Sequence, residues 1–193
     1  MLSDSLKACV RERVQPMGLA LAALGLTPNA ITLLGLLLHG LVAGVLAAGH
    51  ATLAGGLLLP VAALDMLDGA VARATQRTTR FGAFLDSTTD RYAEIVVFLA
   101  LLVAYAPRAD ALANVAIFLA AVGSMMVSYT RARAEGLGLR CEVGLLPRPE
   151  RIVILALGLI SGWIVPAVWL LAVLTNFTAA QRIWHVWRVT KGL

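Results

Sequence analysis

Four aspartates interrupt a chain whose surroundings are apolar enough for a lipid bilayer, and any fold for it must give them a place. They lie in Asp65-Met-Leu-Asp68-Gly69-Ala-Val-Ala72-Arg73 and in Gly82-Ala-Phe-Leu-Asp86-Ser-Thr-Thr-Asp90. An ionisable side chain within a transmembrane segment costs about 2.5 kcal/mol or more, so four in one stretch require a compensating cation or a functional cavity. The spacing favours a cation. Asp65 and Asp68 are i,i+3 and Asp86 and Asp90 are i,i+4, so on helices each pair projects from one face, and two adjacent helices would aim all four at one point. Carboxylate oxygens are hard ligands suited to Mg2+, Mn2+ or Ca2+, whereas zinc would recruit histidine or cysteine, which this stretch lacks. Arg73, Arg77 and Arg80 lie between the pairs, and acids, a metal and arginines together suit a substrate that carries phosphates. A buried ion-pair network with Arg73, Arg77 and Arg91 is the competing reading, but four acids converge while the arginines sit mostly in the loop.

With 193 residues, 60% of them hydrophobic, the chain is expected to be one all-α, polytopic integral membrane domain over 1–193, with no separate soluble module. No cleavable signal peptide is evident. Over Met1 to Met17, charged residues alternate with Leu2, Leu6, Val10, Val14 and Met17 at helical spacing. This predicts an amphipathic helix along the membrane surface within a juxtamembrane segment, 1–26. Beyond it, apolar runs predict about six transmembrane helices, approximately Ile31 to Gly49, Thr52 to Arg73, Phe81 to Ala104, Ala111 to Arg131, Arg151 to Ile164 and Val165 to Arg188. Thr27-Pro28 reads as the cap and first turn of the first helix, Pro149 as a similar start for the fifth, and Pro60 as a kink near the acids. The fifth run is short, and its boundary with the sixth falls around Trp163 to Pro166.

Charge orients these helices. Of the 16 lysines and arginines, all but Arg108 fall towards one end of the spans, so both termini and the acids are expected on the cytoplasmic side of the cell membrane. The net charge of +5 therefore reflects orientation and anion attraction, not nucleic-acid binding. Arg182-Ile-Trp-His-Val-Trp-Arg188 interleaves aromatic and basic residues where a span closes, which suits an interfacial belt better than a base-stacking platform. Cys9 and Cys141 both fall on the cytoplasmic side, so a structural disulfide is not expected. His39 and His50 are remote from the acids and read as non-catalytic. His185, one turn from Arg182 and Arg188, belongs to a basic face that meets lipid headgroups or an anionic substrate. Glu94, one turn beyond Asp90, is left outside the metal site.

Eight positions with fixed gaps, Asp65, Asp68, Gly69, Ala72, Arg73, Gly82, Asp86 and Asp90, resemble the signature of the CDP-alcohol phosphotransferase family. Gly25-Leu-Thr-Pro-Asn29-Ala-Ile-Thr32 is similar to that family's opening segment, so the resemblance covers most of the chain. It implies a membrane enzyme that moves a phosphatidyl group from CDP-diacylglycerol to a hydroxyl acceptor and releases CMP. It implies two ions, Mg2+ or Mn2+, on Asp65, Asp68, Asp86 and Asp90, with Asp90 as general base. It further implies that Asn29, Asp68, Gly69, Ala72, Arg73 and Gly82 bind the nucleotide and diphosphate, although Gly69 and Gly82 also suit close helix packing. A homodimer is expected, with Gly40 and Gly44 as a GxxxG packing pair.

The Leu85-Asp-Ser-Thr-Thr-Asp90-Arg91 wording, with Ser128-Tyr-Thr-Arg131-Ala-Arg133 and Pro147-Arg148-Pro149-Glu150-Arg151, is most similar to the prokaryotic phosphatidylinositol-phosphate synthase branch, whose acceptor already carries a phosphate. That implies inositol phosphate as acceptor, its phosphate held by Arg131, Arg151 and Arg182, since guanidinium groups bind phosphate in bidentate fashion. The branch commonly has lysine where Arg131 stands. The glycerol-phosphate branch, the alternative, usually reads Asp-Pro followed by Ala-Asp-Lys in the second half of the signature, and this chain does not. A cation transporter with intramembrane carboxylates is the rival from another class; it fits poorly, because the acids cluster near one membrane face without a second acidic repeat.

Overall fold

The structure, a computed structural model, describes residues 16, 19–20, 23–75 and 78–191, with the backbone alone at 66, 68, 73 and 74. The expected N-terminal amphipathic helix falls almost wholly outside the described residues, as do Cys9 and Arg77. Every regular element within them is helical: α1 Pro28–Ala47, α2 Ala51–Ala74, α3 Arg80–Tyr105, a 3-10 turn Ala106–Arg108, α4 Ala111–Gly136, α5 Arg148–Ser161 and α6 Ile164–Thr190. Helices therefore stand where the six apolar runs predict them.

Local chemistry sets the boundaries. Thr27 Oγ1 accepts the Ala30 N–H at 3.2 Å and so caps α1, with Pro28 in the first helical position. Thr79 Oγ1 does the same for α3, accepting from the Gly82 N–H at 2.9 Å. Asp110 Oδ1 caps α4 by accepting from the Ala113 N–H at 3.0 Å. The fifth helix opens at Arg148, a little before the apolar run, because Pro147 and Pro149 suit its cap and first turn. It ends at Gly162, whose φ of +78° is the left-handed conformation that glycine adopts without steric cost, and α6 starts after Trp163. The second helix runs on through Pro60.

The helices α1, α2, α4 and α6 are long and apolar enough to cross a membrane. At 14 residues, α5 rises only about 21 Å against a hydrocarbon core of about 30 Å. The third helix is long but from its start to Glu94 carries Arg80, Asp86, Asp90, Arg91 and Glu94 itself. Outward faces are apolar: Leu37 and Leu41 of α1 are 61% and 60% exposed, and Phe118 of α4 is 60% exposed. Extended apolar surface of this kind favours aggregation in water, whereas lipid solvates it. The chain is a polytopic membrane protein.

Contacts group the chain into two compact units, Met1–Leu41 with Pro60–Ala93, and Val42–Leu59 with Glu94–Leu193. In the first, Ile31, Leu67 and Val71 form a buried cluster with Leu64 packed against it. In the second, close approach depends on missing side chains. A Cβ on Gly55 would lie 2.8 Å from the Ala156 carbonyl oxygen, and Asn176 Nδ2 donates to the Leu119 carbonyl at 3.1 Å to tie α6 to α4.

Candidate active site

In the first unit, Asp65 from α2 and Asp86 and Asp90 from α3 line one small cavity of about 10 Å³, together with Thr32, Leu36, Thr89 and Ala93. The Asp68 side chain lies outside the described residues. Three of the four expected ligands are thus brought to one place, although no three acidic, histidine or cysteine side chains among the described residues form a ready-made ligand cage. Their donor chemistry fits a hard divalent ion, since every candidate ligand atom is a carboxylate oxygen.

Asp65 owes its position to a residue that sequence reasoning passed over. A Cβ built on Gly35 of α1 would lie 2.6 Å from Asp65 Oδ1, so only glycine lets the carboxylate come this close to the α1 backbone. The Gly35 carbonyl also accepts from His39 Nδ1 at 2.9 Å, and His39 is buried. On α3 the hydroxyls between the acids are spent on their own helix. Ser87 Oγ and Thr88 Oγ1 donate to the Phe84 carbonyl at 2.9 and 2.8 Å, and Thr89 Oγ1 donates to the Leu85 carbonyl at 2.9 Å. Arg91 Nη1 lies 3.6 Å from Asp90 Oδ2 and donates to the Ser87 carbonyl at 2.5 Å.

A second cavity in the same unit, about 210 Å³, is lined by Asn29, Gly69, Ala72, Thr79 and Gly82 among others, and shares Thr32 and Asp86 with the first. Four of the residues expected to bind the nucleotide therefore meet around one space. The other two, Asp68 and Arg73, have side chains outside the described residues. Gly82 keeps the wall thin, since a Cβ there would press on Thr79 Oγ1 at 3.0 Å and Asn29 Oδ1 at 3.3 Å.

The arginines expected to bind the acceptor phosphate lie in the second unit, where two of them are engaged internally. Arg151, 2% exposed, grips the Glu94 carboxylate through Nε at 2.7 Å and Nη2 at 2.9 Å, and donates to the Leu146 carbonyl from Nη1 at 3.1 Å. Those bonds use three of its five N–H donors. Arg182, also buried, donates from Nε to the Val143 carbonyl at 2.9 Å and from Nη1 to the Val127 carbonyl. Together they hold down the strap that joins α4 to α5. Arg131 is exposed, and its Nε donates to Glu135 Oε1 at 2.8 Å. The Glu94 partnership gives no sequence signal, because it joins residues far apart in the chain. Cys141 is a buried free thiol.

Whole-chain comparisons bear on the same residues. A family model for CDP-alcohol phosphatidyltransferase matches residues 25–184. Over 192 residues the chain is 40% identical to a phosphatidylinositol phosphate synthase of Mycobacteroides abscessus, spanning 92% of this chain and 84% of that one. Over 177 residues it is 37% identical to an archaetidylinositol phosphate synthase of Pyrococcus horikoshii, spanning 91% and 92% respectively. Its fold is similar to crystal structures of Mycobacterium tuberculosis phosphatidylinositol phosphate synthase at 34% identity. The structure with CDP-DAG bound has a TM-score of 0.84 and covers 90% of this chain and 93% of that one. The structure in complex with manganese and citrate has a TM-score of 0.85 and covers 90% and 88%. With the signature complete in the sequence and the match running from Gly25 to Trp184, this chain belongs to the CDP-alcohol phosphatidyltransferase family.

Proposed function

We propose that the chain transfers the phosphatidyl group of CDP-diacylglycerol to a hydroxyl of inositol phosphate, releasing CMP. The observation that carries this reading is that Asp86 and Thr32 line both the carboxylate cavity and the cavity of Asn29, Gly69, Ala72 and Gly82. A nucleotide in the larger space thus brings its diphosphate to the acids. At about 210 Å³ that space is smaller than the roughly 300–1,000 Å³ of a typical small-molecule cleft, which suits part of a nucleotide with the lipid left outside.

Asp65, Asp68, Asp86 and Asp90 would hold two Mg2+ or Mn2+ ions, whose charge neutralises the diphosphate and polarises the phosphorus under attack. Asn29, Gly69, Ala72 and Gly82 orient the nucleotide, with Asp68 and Arg73 completing its contacts. Asp90 takes the proton from the attacking hydroxyl. Arg131, Arg151 and Arg182 receive the acceptor phosphate, Arg151 and Arg182 with the donors that Glu94 and the strap leave over. The two relatives' names share inositol phosphate and differ in the lipid, which supports the acceptor more firmly than the donor's chains. The one-sided distribution of basic residues supports a site at the cytoplasmic face of the cell membrane. A homodimer belongs to this reading through the resemblance alone.

The test is CMP release by purified protein with CDP-diacylglycerol and a panel of inositol phosphate, inositol and glycerol phosphate. Turnover is expected only with Mg2+ or Mn2+, chiefly with inositol phosphate, and is expected to vanish in Asp86→Asn, whose amide weakens hard-ion coordination. Metal-dependent turnover at full rate by Asp86→Asn would refute the metal site. Equal use of all three acceptors would refute the acceptor and leave the reaction class standing.

A further inference from the structure

The C-terminal half of α6 and the extended segment Val143, Gly144 and Leu145 enclose a groove of about 850 Å³ within the second unit. None of the signature aspartates with described side chains, Asp65, Asp86 and Asp90, lines it. Phe177, Ala180, Trp184, His185 and Arg188 recur every three or four residues or adjoin one that does, so they share a face of α6. Its wall is preformed. The Val143 carbonyl is held by Arg182 Nε at 2.9 Å, and Gly144, at φ +134°, sits where a Cβ would lie 2.6 Å from Thr178 Cγ2.

The two ends of this groove differ in polarity. Along α6, Phe177 and Ala180 line one end, Gln181 and Trp184 follow, and His185 and Arg188 lie with Val189 at the other. At 1.5 Å per residue the distance from Phe177 to Arg188 is about 16 Å, close to half of a hydrocarbon core of about 30 Å, which is one leaflet. The basic end also carries an interfacial belt: the Trp184 and Trp187 rings are 4.7 Å apart, and Lys191 Nζ lies 3.8 Å from the Trp187 ring centroid. His185 Nε2 pairs with the Arg140 carbonyl at 3.2 Å, which fixes the ring beside Arg188. The apolar end therefore lies at acyl-chain depth and the cationic end at headgroup depth.

We infer that this groove binds an anionic phospholipid, with an acyl chain along Phe177 and Ala180 and the headgroup phosphate against Arg188 and His185. A free anion would use the mouth and leave the apolar length unfilled. A peptide would bring backbone polar groups into the apolar end, where they would find few partners. A lipid matches both ends and the distance between them.

Full-length protein in nanodiscs of phosphatidylcholine mixed with phosphatidylglycerol, extracted into detergent and examined by native mass spectrometry, tests this. Phosphatidylglycerol is expected to be retained in preference to phosphatidylcholine. Arg188→Ala should lower that retention about tenfold or more, as loss of a charge-assisted contact does, while Arg188→Lys keeps most of it. Ala180→Trp, which fills the apolar end and leaves the cations in place, should displace the lipid as well. Retention without headgroup preference, or retention unchanged in both Arg188→Ala and Ala180→Trp, overturns the inference. Displacement of the lipid by inorganic phosphate alone would make the site a free-anion site. A fall in dimer fraction in Ala180→Trp with lipid retention intact would assign the groove to a second copy of the chain.

Discussion

Gly35 is the residue on which the carboxylate cavity depends most directly. Its hydrogen faces Asp65 Oδ1, and any Cβ would sit 2.6 Å from that oxygen, well inside van der Waals contact. Carboxylate and backbone cannot both stay in place after such a substitution. Gly35→Ala is therefore expected to weaken Mn2+ binding and CMP release by tenfold or more while leaving helix content unchanged, because alanine is itself a good helix former. Mn2+ titration followed by electron paramagnetic resonance, with circular dichroism as control, measures both. Wild-type Mn2+ affinity in Gly35→Ala would remove Asp65 from the ligand set. In the sequence, this glycine is one of several in an apolar run and carries no motif. Its meaning comes from a contact with a different helix.

Among elements, the strap between α4 and α5 shows how charge can be structural before it is chemical. Arg151 and Arg182 read from sequence as phosphate-binding residues, yet both hold strap carbonyls, and Arg151 neutralises Glu94 at 9% side-chain exposure. Removing one partner of such a pair leaves a buried uncompensated charge. Arg151→Ala is expected to lower stability by about 3–5 kcal/mol, with Glu94→Gln less damaging and the apolar double variant Arg151→Met/Glu94→Leu recovering much of the loss. Denaturant unfolding in detergent reads this out. The same set separates the two roles of Arg151: Glu94→Gln keeps the guanidinium, so a KM for inositol phosphate that rises in Arg151→Ala but not in Glu94→Gln marks acceptor binding. Equal stability of Arg151→Ala and wild type would mean that the pair holds nothing.

At the scale of the whole molecule, the proposed orientation rests on the basic residues, and Arg108 is the informative exception. It ends the 3-10 turn after α3, its guanidinium 4.2 Å from the Tyr105 ring centroid, whereas Arg131, Arg133 and Glu135 lie at the far end of α4. Single cysteines at Arg108 and Glu135, in a background with Cys9 and Cys141 replaced by serine, should label from outside and from the cytoplasm respectively. The reverse pattern would invert the topology.

The sequence by itself determined the elements and the chemistry. Hydropathy set the helices, Thr27 announced the start of the first through a hydroxyl that caps its first turn, and the gaps between Asp65, Asp68, Asp86 and Asp90 identified the family. These are local properties, legible because each depends on residues within a turn or two of one another. On length and composition α1, α2, α4 and α6 suffice to cross a membrane, while α5 is short and α3 carries charge, and both form as helices where hydropathy put them. The tertiary structure alone decided the clearance of Asp65 at Gly35, the sharing of Asp86 and Thr32 between two cavities, the pairing of Glu94 with Arg151, and the graded groove along α6. Each joins residues distant in the chain, and no local periodicity encodes which helix faces will meet.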